Sequence, residues 1–460
     1  MRYNEKPTYE SLLQKADASV SQAIPKVDDT YRLQYHFMPQ AYWMNDPNGL
    51  VYFQGYYHVF YQHHPYSPDW GPMHWGHART KDFINWEHLP IALAPSEDYD
   101  ADGCFSGSAV VKDGLIHIFY TGHRVIDGKA VQVQCRATSS DGVHFVKDPN
   151  NPLIPEFPPE GSSEFRDPKV WYHDGLWYMA VGSGKDGRGK VLLFKSSDLK
   201  DWVYDGVLAE SDGTQGTIWE CPDVFPLGDK HVLIISPIGT DTRSVMAFIG
   251  EMDYERGKFQ PESVKKLDYG PSFYAPQTFF GTERRILFAW MDSWEIEIQS
   301  KKHSWAGALT LPRELSLDSY GRLKAYPLSE VNTLRTKQLF VGGVALHNDV
   351  EDLPEVDLEN MGIEVILDID LAETNADHVG IVLTDLQGGK PVTVGYSRAT
   401  NRLYFDADAG ELGCKGSFEA ELQPKQDSLE IRIFLDRSSI EVFADKGDAS
   451  LTARLYPNSF

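Results

Sequence analysis

From Asn48 onward one pattern of apolar and polar positions recurs along the chain. Each copy opens with a short apolar run, breaks at a Gly or charged turn, and continues into a second run rich in aromatic and β-branched residues. The copies are NGLVYFQGYYHVFYQ from Asn48, GSAVVKDGLIHIFYTG from Gly107, PKVWYHDGLWYMAVGS from Pro168, PDVFPLGDKHVLIISP from Pro222 and PQTFFGTERRILFAWM from Pro276. Their starts lie about 50 to 60 residues apart, the spacing of four-stranded propeller blades. A second segment follows in register: ARTKDFINWEHLP from Ala78, ATSSDGVHFVKDP from Ala137, FKSSDLKDWVYDG from Phe194 and, more weakly, GEMDYERGKFQP from Gly250. Short aromatic-rich runs joined by Asp-Gly or Gly turns read as antiparallel hairpins. The pattern predicts an all-β fold, with a five-bladed β-propeller over residues 33–334. Helical periodicity occurs only in YESLLQKADASVSQAI, so residues 1–32 form a partly helical N-terminal segment. From about Arg335 the aromatics thin out and alternating runs such as IEVILDIDL and SLEIRIFLD predict a β-sandwich over residues 335–460.

Charge narrows the partners. The 460 residues carry 43 Lys+Arg against 67 Asp+Glu, a formal net charge of −24. Such a surface repels phosphate backbones and anionic lipids, which argues against nucleic acid and membranes as partners. With 42% hydrophobic and 12% aromatic residues, the chain is not a disordered acidic one. Aromatic rings beside carboxylates suit sugars, whose apolar faces stack and whose hydroxyls need acceptors. Cys104, Cys135, Cys221 and Cys414 form no CxxC pair, and no apolar h-region follows Arg2. A reduced, cytoplasmic protein is the expectation.

Acids fall at matched places in the repeat. In a propeller the first strand of every blade lines the central channel, so equivalent starts of those strands converge at one end of the axis. Asp46 in MNDPNG, Asp167 in FRDPKV, and Glu220 and Asp223 in ECPD occupy such starts. Glycoside hydrolysis needs one ionised and one protonated carboxyl across the scissile bond. Glu220, between Trp219 and Cys221-Pro222, reads as the general acid in an apolar setting. Asp46, beside the amides of Asn45 and Asn48, reads as the nucleophile. Asp167, next to Arg166, reads as a charge-paired acid that binds substrate hydroxyls.

Other motifs compete for attention. His74 and His77 form an HxxH among crowded histidines, but the glutamate of HExxH is missing and no metal site is expected. Gly182, Gly184 and Gly187 spell GxGxxG, yet a strand follows in place of a helix, so the segment reads as a hairpin tip. That tip carries Lys185, Arg188 and Lys190, candidate phosphate contacts on an otherwise acidic protein. Trp43, Trp70, Trp75, Trp290 and Trp294 are candidates for the floor of a sugar site.

At these residues the chain resembles glycoside hydrolase family 32, the β-fructofuranosidases. WMNDPNG from Trp43, FSGS from Phe105, FRDP from Phe165, ECPD from Glu220 and WAGALTLPREL from Trp305 match the family motifs in order and spacing, and LDRSSIEVF from Leu435 resembles its sandwich. The resemblance implies retaining hydrolysis of terminal fructosyl groups, with Asp46 as nucleophile, Glu220 as acid/base and Asp167 as stabiliser. It also implies a fructose-binding subsite lined by Asn45, Gln62, Trp70, Phe105, Ser106 and Arg166, with no cofactor. HPY from His64 and HWGHA from His74 look most like the sucrose-6-phosphate hydrolase branch, so sucrose and sucrose 6-phosphate are the expected substrates. Fructan hydrolysis and fructosyl transfer stay open, as does a non-catalytic sugar-binding propeller. The sandwich is expected to be structural or to support an oligomer.

Overall fold

The computed structural model describes residues 7–240, 244–342, 345, 346, 348–352, 362–384, 391–407, 414–422 and 427–457. Between Tyr42 and Pro327 the chain forms five antiparallel sheets, each a run of four strands in sequence order apart from the last, where a crossing segment intervenes. Their first strands are Tyr42–Phe53, Gly103–Lys112, Phe165–His173, Ile218–Leu227 and Tyr274–Thr278. Each first strand touches the next, and the fifth touches the first, so the five surround one axis. The ring is fastened by Trp305–Ala306, which leaves the fifth sheet to pair in parallel with Tyr42 and Trp43 of the first. Aromatic and aliphatic side chains fill the gaps between neighbouring sheets; one such cluster joins Phe60, Trp75 and Tyr120 across the first and second.

The second repeated segment turns out to be one turn used three times. In the first three sheets a Ser or Thr ends the third strand and an Asp stands two residues on: Thr80 and Asp82, Ser139 and Asp141, Ser196 and Asp198. The hydroxyl accepts the backbone N–H of Phe83, Gly142 or Leu199 at 2.9 to 3.0 Å, and the Asp accepts two further N–H groups. These are local caps of the Asx and ST type, which satisfy backbone donors that a strand has just released.

Helix Tyr9–Ala23, the one α-helix among the described residues, lies along the outer strand Trp86–Leu93 of the first sheet. Thr8 caps it by accepting from Ser11 N, and Asp17 accepts the edge-strand N–H of Ile91 at 2.9 Å. An edge strand is thereby covered, which blunts strand addition by another chain.

Two four-stranded sheets, Gly362–Asp370 with the last three strands and His378–Leu383 with the next three, enclose the apolar core of the sandwich. Its LDRSSIEVF hairpin faces the propeller. His36 bridges Asp436 and Glu441 at 2.8 and 2.9 Å with all three side chains fully buried. Burial disfavours the imidazolium, but the two carboxylates outweigh it and hold the His36 pKa up at about 9. An unfolded imidazole titrates near 6.5, so this contribution to stability is complete below about pH 6.5 and is lost as pH rises through about 9. The expected result is a melting temperature that declines between pH 7 and pH 9.5 in the parent protein, with a shallower decline in His36→Gln. Calorimetry across that range checks it.

Candidate active site

Register breaks place the functional side chains. Each of the five first strands carries one extra residue relative to its partner near its beginning: between Met44 and Pro47, Phe105 and Gly107, Arg166 and Lys169, Glu220 and Asp223, and Tyr274 and Gln277. A β-bulge re-aims a side chain that would otherwise follow the strict alternation of a strand. At three of them Asp167, Cys221 and Ala275 take φ of 65°, 48° and 50°, a left-handed conformation that costs a residue with a Cβ about 1–2 kcal/mol. The bulges turn Asp46, Ser106, Asp167, Glu220 and Tyr274 toward one mouth of the axis.

There the acids meet. Asp46 accepts the Ser106 hydroxyl at 2.6 Å and the Asn45 amide at 3.0 Å, and Asn45 is itself held by the indole N–H of Trp43 at 2.7 Å. Cys221 lies between two carboxyls, its Sγ 3.6 Å from Asp46 and 3.4 Å from Asp167. Its backbone N–H donates to Asp167 at 2.9 Å. Glu220 accepts Arg166 Nε at 2.9 Å and the Tyr274 hydroxyl at 2.5 Å. Burial raises the Asp46 pKa, with Ser106 and Asn45 opposing and the charge of Glu220 adding to the rise. Burial likewise pushes Asp167 up to about 7, against the pull of Arg166 and with the repulsion of Glu220 and Asp46. Burial and the repulsion of neighbouring carboxylates thus oppose full ionisation of Asp46 and Asp167.

Two local readings of the sequence are corrected. The Glu220 carboxyl does not sit in an apolar niche, since a guanidinium and a phenol both donate to it. Arg166 makes no hydrogen bond to the neighbouring Asp167 side chain, although its charge draws the Asp167 pKa down; its guanidinium reaches Glu164, Glu220 and Gln132. Consecutive side chains on a strand diverge, so sequence adjacency was a poor guide to pairing. Asp223 lies deeper in the channel, 1% exposed and paired with Lys169 Nζ at 2.9 Å, where it supports the fold beneath the mouth.

Of the expected lining residues, Asn45, Ser106 and Arg166 touch the carboxyls directly. Trp70 is 47% exposed, with its ring edge-on to Phe105 at 6.2 Å, and Phe105 stacks on His123 at 4.1 Å. Gln62 is buried and donates to the Cys104 carbonyl at 3.0 Å. Trp75 is withdrawn from the floor: it is wholly buried and donates to the carbonyl of Phe105. His77 bonds His58 at 3.0 Å and stacks on Phe60. Tyr274 was missed, although it occupies the same place in the fifth strand as the acids do in the others. Tyr274→Phe is expected to lower kcat about tenfold, the worth of one hydrogen bond to a charged group, with KM within about twofold in steady-state kinetics.

The GxGxxG segment is the hairpin tip that was expected, with Asp186 and Gly187 at φ 54° and 76° joining strands that pair through Lys185 and Arg188. Glu210 pairs with Lys190 at 2.8 Å and Arg188 at 3.3 Å, and Lys185 donates to the carbonyl of Pro159. One carboxylate thus serves two of the three cations, and the Arg188 side chain stays half exposed.

Nucleophile and acid chemistry from clustered carboxyls, set beside exposed indoles at a propeller mouth, is the equipment of a glycoside hydrolase. Residues 36–327 match the model of the glycosyl hydrolases family 32 N-terminal domain, and residues 330–460 match that of the family 32 C terminal. The chain belongs to glycosyl hydrolase family 32. It is 40% identical over 469 residues to a sucrose-6-phosphate hydrolase of Escherichia coli, covering 97% of this chain and 94% of that one. A raffinose invertase of Escherichia coli is also 40% identical over 462 residues, with the same coverage. Among solved structures, a Bombyx mori β-fructofuranosidase variant in complex with sucrose superposes with a TM-score of 0.86 at 32% identity, covering 98% of this chain and 95% of that one.

Proposed function

We propose that this protein is a retaining β-fructofuranosidase that cleaves sucrose and sucrose 6-phosphate in the cytoplasm. The observation that carries the reading is the convergence of Asp46, Asp167 and Glu220 around Cys221, on three separate strands that begin at Tyr42, Phe165 and Ile218. The names and bound sugar of the relatives agree with it. Asp46 attacks the anomeric carbon of the fructosyl unit while Glu220 gives its proton to the departing glucosyl oxygen, forming a fructosyl ester. Water then attacks the same carbon and returns a proton to Glu220 as the ester bond to Asp46 breaks. Asp167 and Arg166 hold fructosyl hydroxyls, and Asn45 and Ser106 fix the attacking carboxylate. Trp70 and Phe105 pack against the sugar, with Gln62 behind them.

The test is kcat/KM for sucrose, sucrose 6-phosphate and a short fructan, from measured release of glucose, glucose 6-phosphate and fructose. Preference for the two disaccharides supports the reading, and a strong preference for fructan refutes it. A second expected outcome concerns the hairpin tip: the ratio of kcat/KM for sucrose 6-phosphate over sucrose changes less than about twofold in Lys190→Ala, in keeping with its ion pair to Glu210.

A further inference from the structure

We propose that Arg454, carried by the sandwich, is a positioning residue for the aromatic wall of the propeller mouth, acting through the buried carboxyl of Asp292. The residue ends strand Ala449–Arg454, the last strand of the sandwich among the described residues. Its Nε and Nη2 donate to the carbonyl and hydroxyl of Ser438 at 2.8 and 2.9 Å. Its guanidinium lies 5.4 Å from the ring centre of Trp305 and 5.2 Å from that of Tyr456. The remaining nitrogen, Nη1, faces Asp292 Oδ2 at 3.6 Å, with the two side chains 0% and 1% exposed. Neither of those two atoms has a hydrogen bond among the described residues. Each is thus the other's nearest compensation in a dry setting.

What Asp292 holds is the turn that begins the site wall. It follows Trp290 and Met291 and precedes Ser293 and Trp294. Trp294, 41% exposed, stacks on Trp43 at 5.6 Å and 30° and lies 4.9 Å from Trp290. Trp43 in turn donates to Asn45, which donates to Asp46. A cation anchored in one domain therefore fixes the root of an indole in the other, three contacts from the nucleophile. Burial raises the Asp292 carboxyl to about 6, and Arg454 with more distant Lys301 draws it back toward ionisation. Without the arginine this acid takes up a proton or draws in water, and the turn loses its anchor.

The readout rests on the β-fructofuranosidase reading. Because an indole wall binds the sugar equally before and during reaction, Arg454→Met is expected to raise KM for sucrose about tenfold with kcat within about threefold. Arg454→Lys keeps the cation and stays within about threefold of the parent KM. Adding Asp292→Asn to Arg454→Met raises KM little further, because both changes break the same link. A purely architectural arginine would lower the melting temperature and leave KM alone. A parent-like KM in Arg454→Met, measured well below its melting temperature, overturns the proposal, as do fully additive effects of Arg454→Met and Asp292→Asn on KM. If Arg454→Met does not fold, Asp292→Asn alone decides: a shifted KM supports the link and an unchanged KM overturns it. Should the parent protein not hydrolyse sucrose at all, the functional reading falls separately. Calorimetric binding of fructose to parent and variant then decides the proposal, with a tenfold weakening supporting it and equal affinity overturning it.

Discussion

Asp46→Asn is expected to lower kcat for sucrose by about 10⁴-fold or more while leaving the fold intact, the scale on which enzymes respond to loss of a covalent nucleophile. The amide is isosteric and can still accept from Ser106 and face Asn45, so the thermal transition should move little. What it lacks is the charge that forms the fructosyl ester. A complementary arm uses Glu220→Ala with azide. With an activated aryl fructoside, whose leaving group needs no proton, the ester forms without Glu220 and is slowly released, and azide, which needs no proton removed, should restore turnover and yield a fructosyl azide of retained configuration. Near-parental release of glucose and fructose by Asp46→Asn, or an inverted azide product, would exclude the double-displacement route. The parent protein should also lose kcat/KM as pH rises above about 7, because burial, with the charges of Glu220 and Asp46, places the Asp167 titration there and its proton is then lost.

The largest expected effect on stability lies far from that chemistry. Arg313 is completely buried where the propeller meets the sandwich, donating to Asp268 at 2.8 Å, Glu441 at 2.7 Å, Ser450 at 3.0 Å and Thr452 at 2.6 Å. Its guanidinium is sandwiched 4.7 and 4.8 Å from the rings of Phe273 and Phe443. Arg313→Met keeps most of the volume but strands the buried Asp268 carboxylate and leaves Glu441 with His36 alone, which should cost about 3–5 kcal/mol in denaturant unfolding. Neutralising the stranded acid as well, with Asp268→Asn, should recover part of the loss, since that part of the penalty belongs to the unpaired charge. Equal loss in the double variant would show that packing, not charge, dominates this contact.

Much of this molecule could be read from periodicity. The repeated hairpins marked the sheets, and matched positions in the repeat brought Asp46, Asp167 and Glu220 together. The helix at Tyr9–Ala23 followed its own pattern. What could not be read was pairing. Adjacent letters suggested Arg166 with Asp167, whereas a strand sends neighbours apart and a cross-sheet contact sends the arginine to Glu220. Arg188 and Lys190 looked unpaired because Glu210, on the next strand, carries no mark in the sequence of being their partner. The motifs beginning at Trp305 and Leu435 were visible as motifs, but nothing local says that Arg313 of one grips Glu441 of the other. Periodicity reports which way a chain faces, and long-range electrostatics depends on what it faces.

The clasp of Trp305–Ala306 against Tyr42–Trp43 has a consequence for the protein as it is made. The first sheet emerges early from the ribosome, but its seam partner follows about 260 residues later, roughly 15–50 s at ordinary rates of translation. Throughout that interval the nascent ring stands open and Trp43 lacks its neighbour. Asp46 is thus among the first site residues synthesised and among the last to be set in place, and a ribosome stalled before residue 305 would display a hydrolase with every acid present and no closed mouth to hold them.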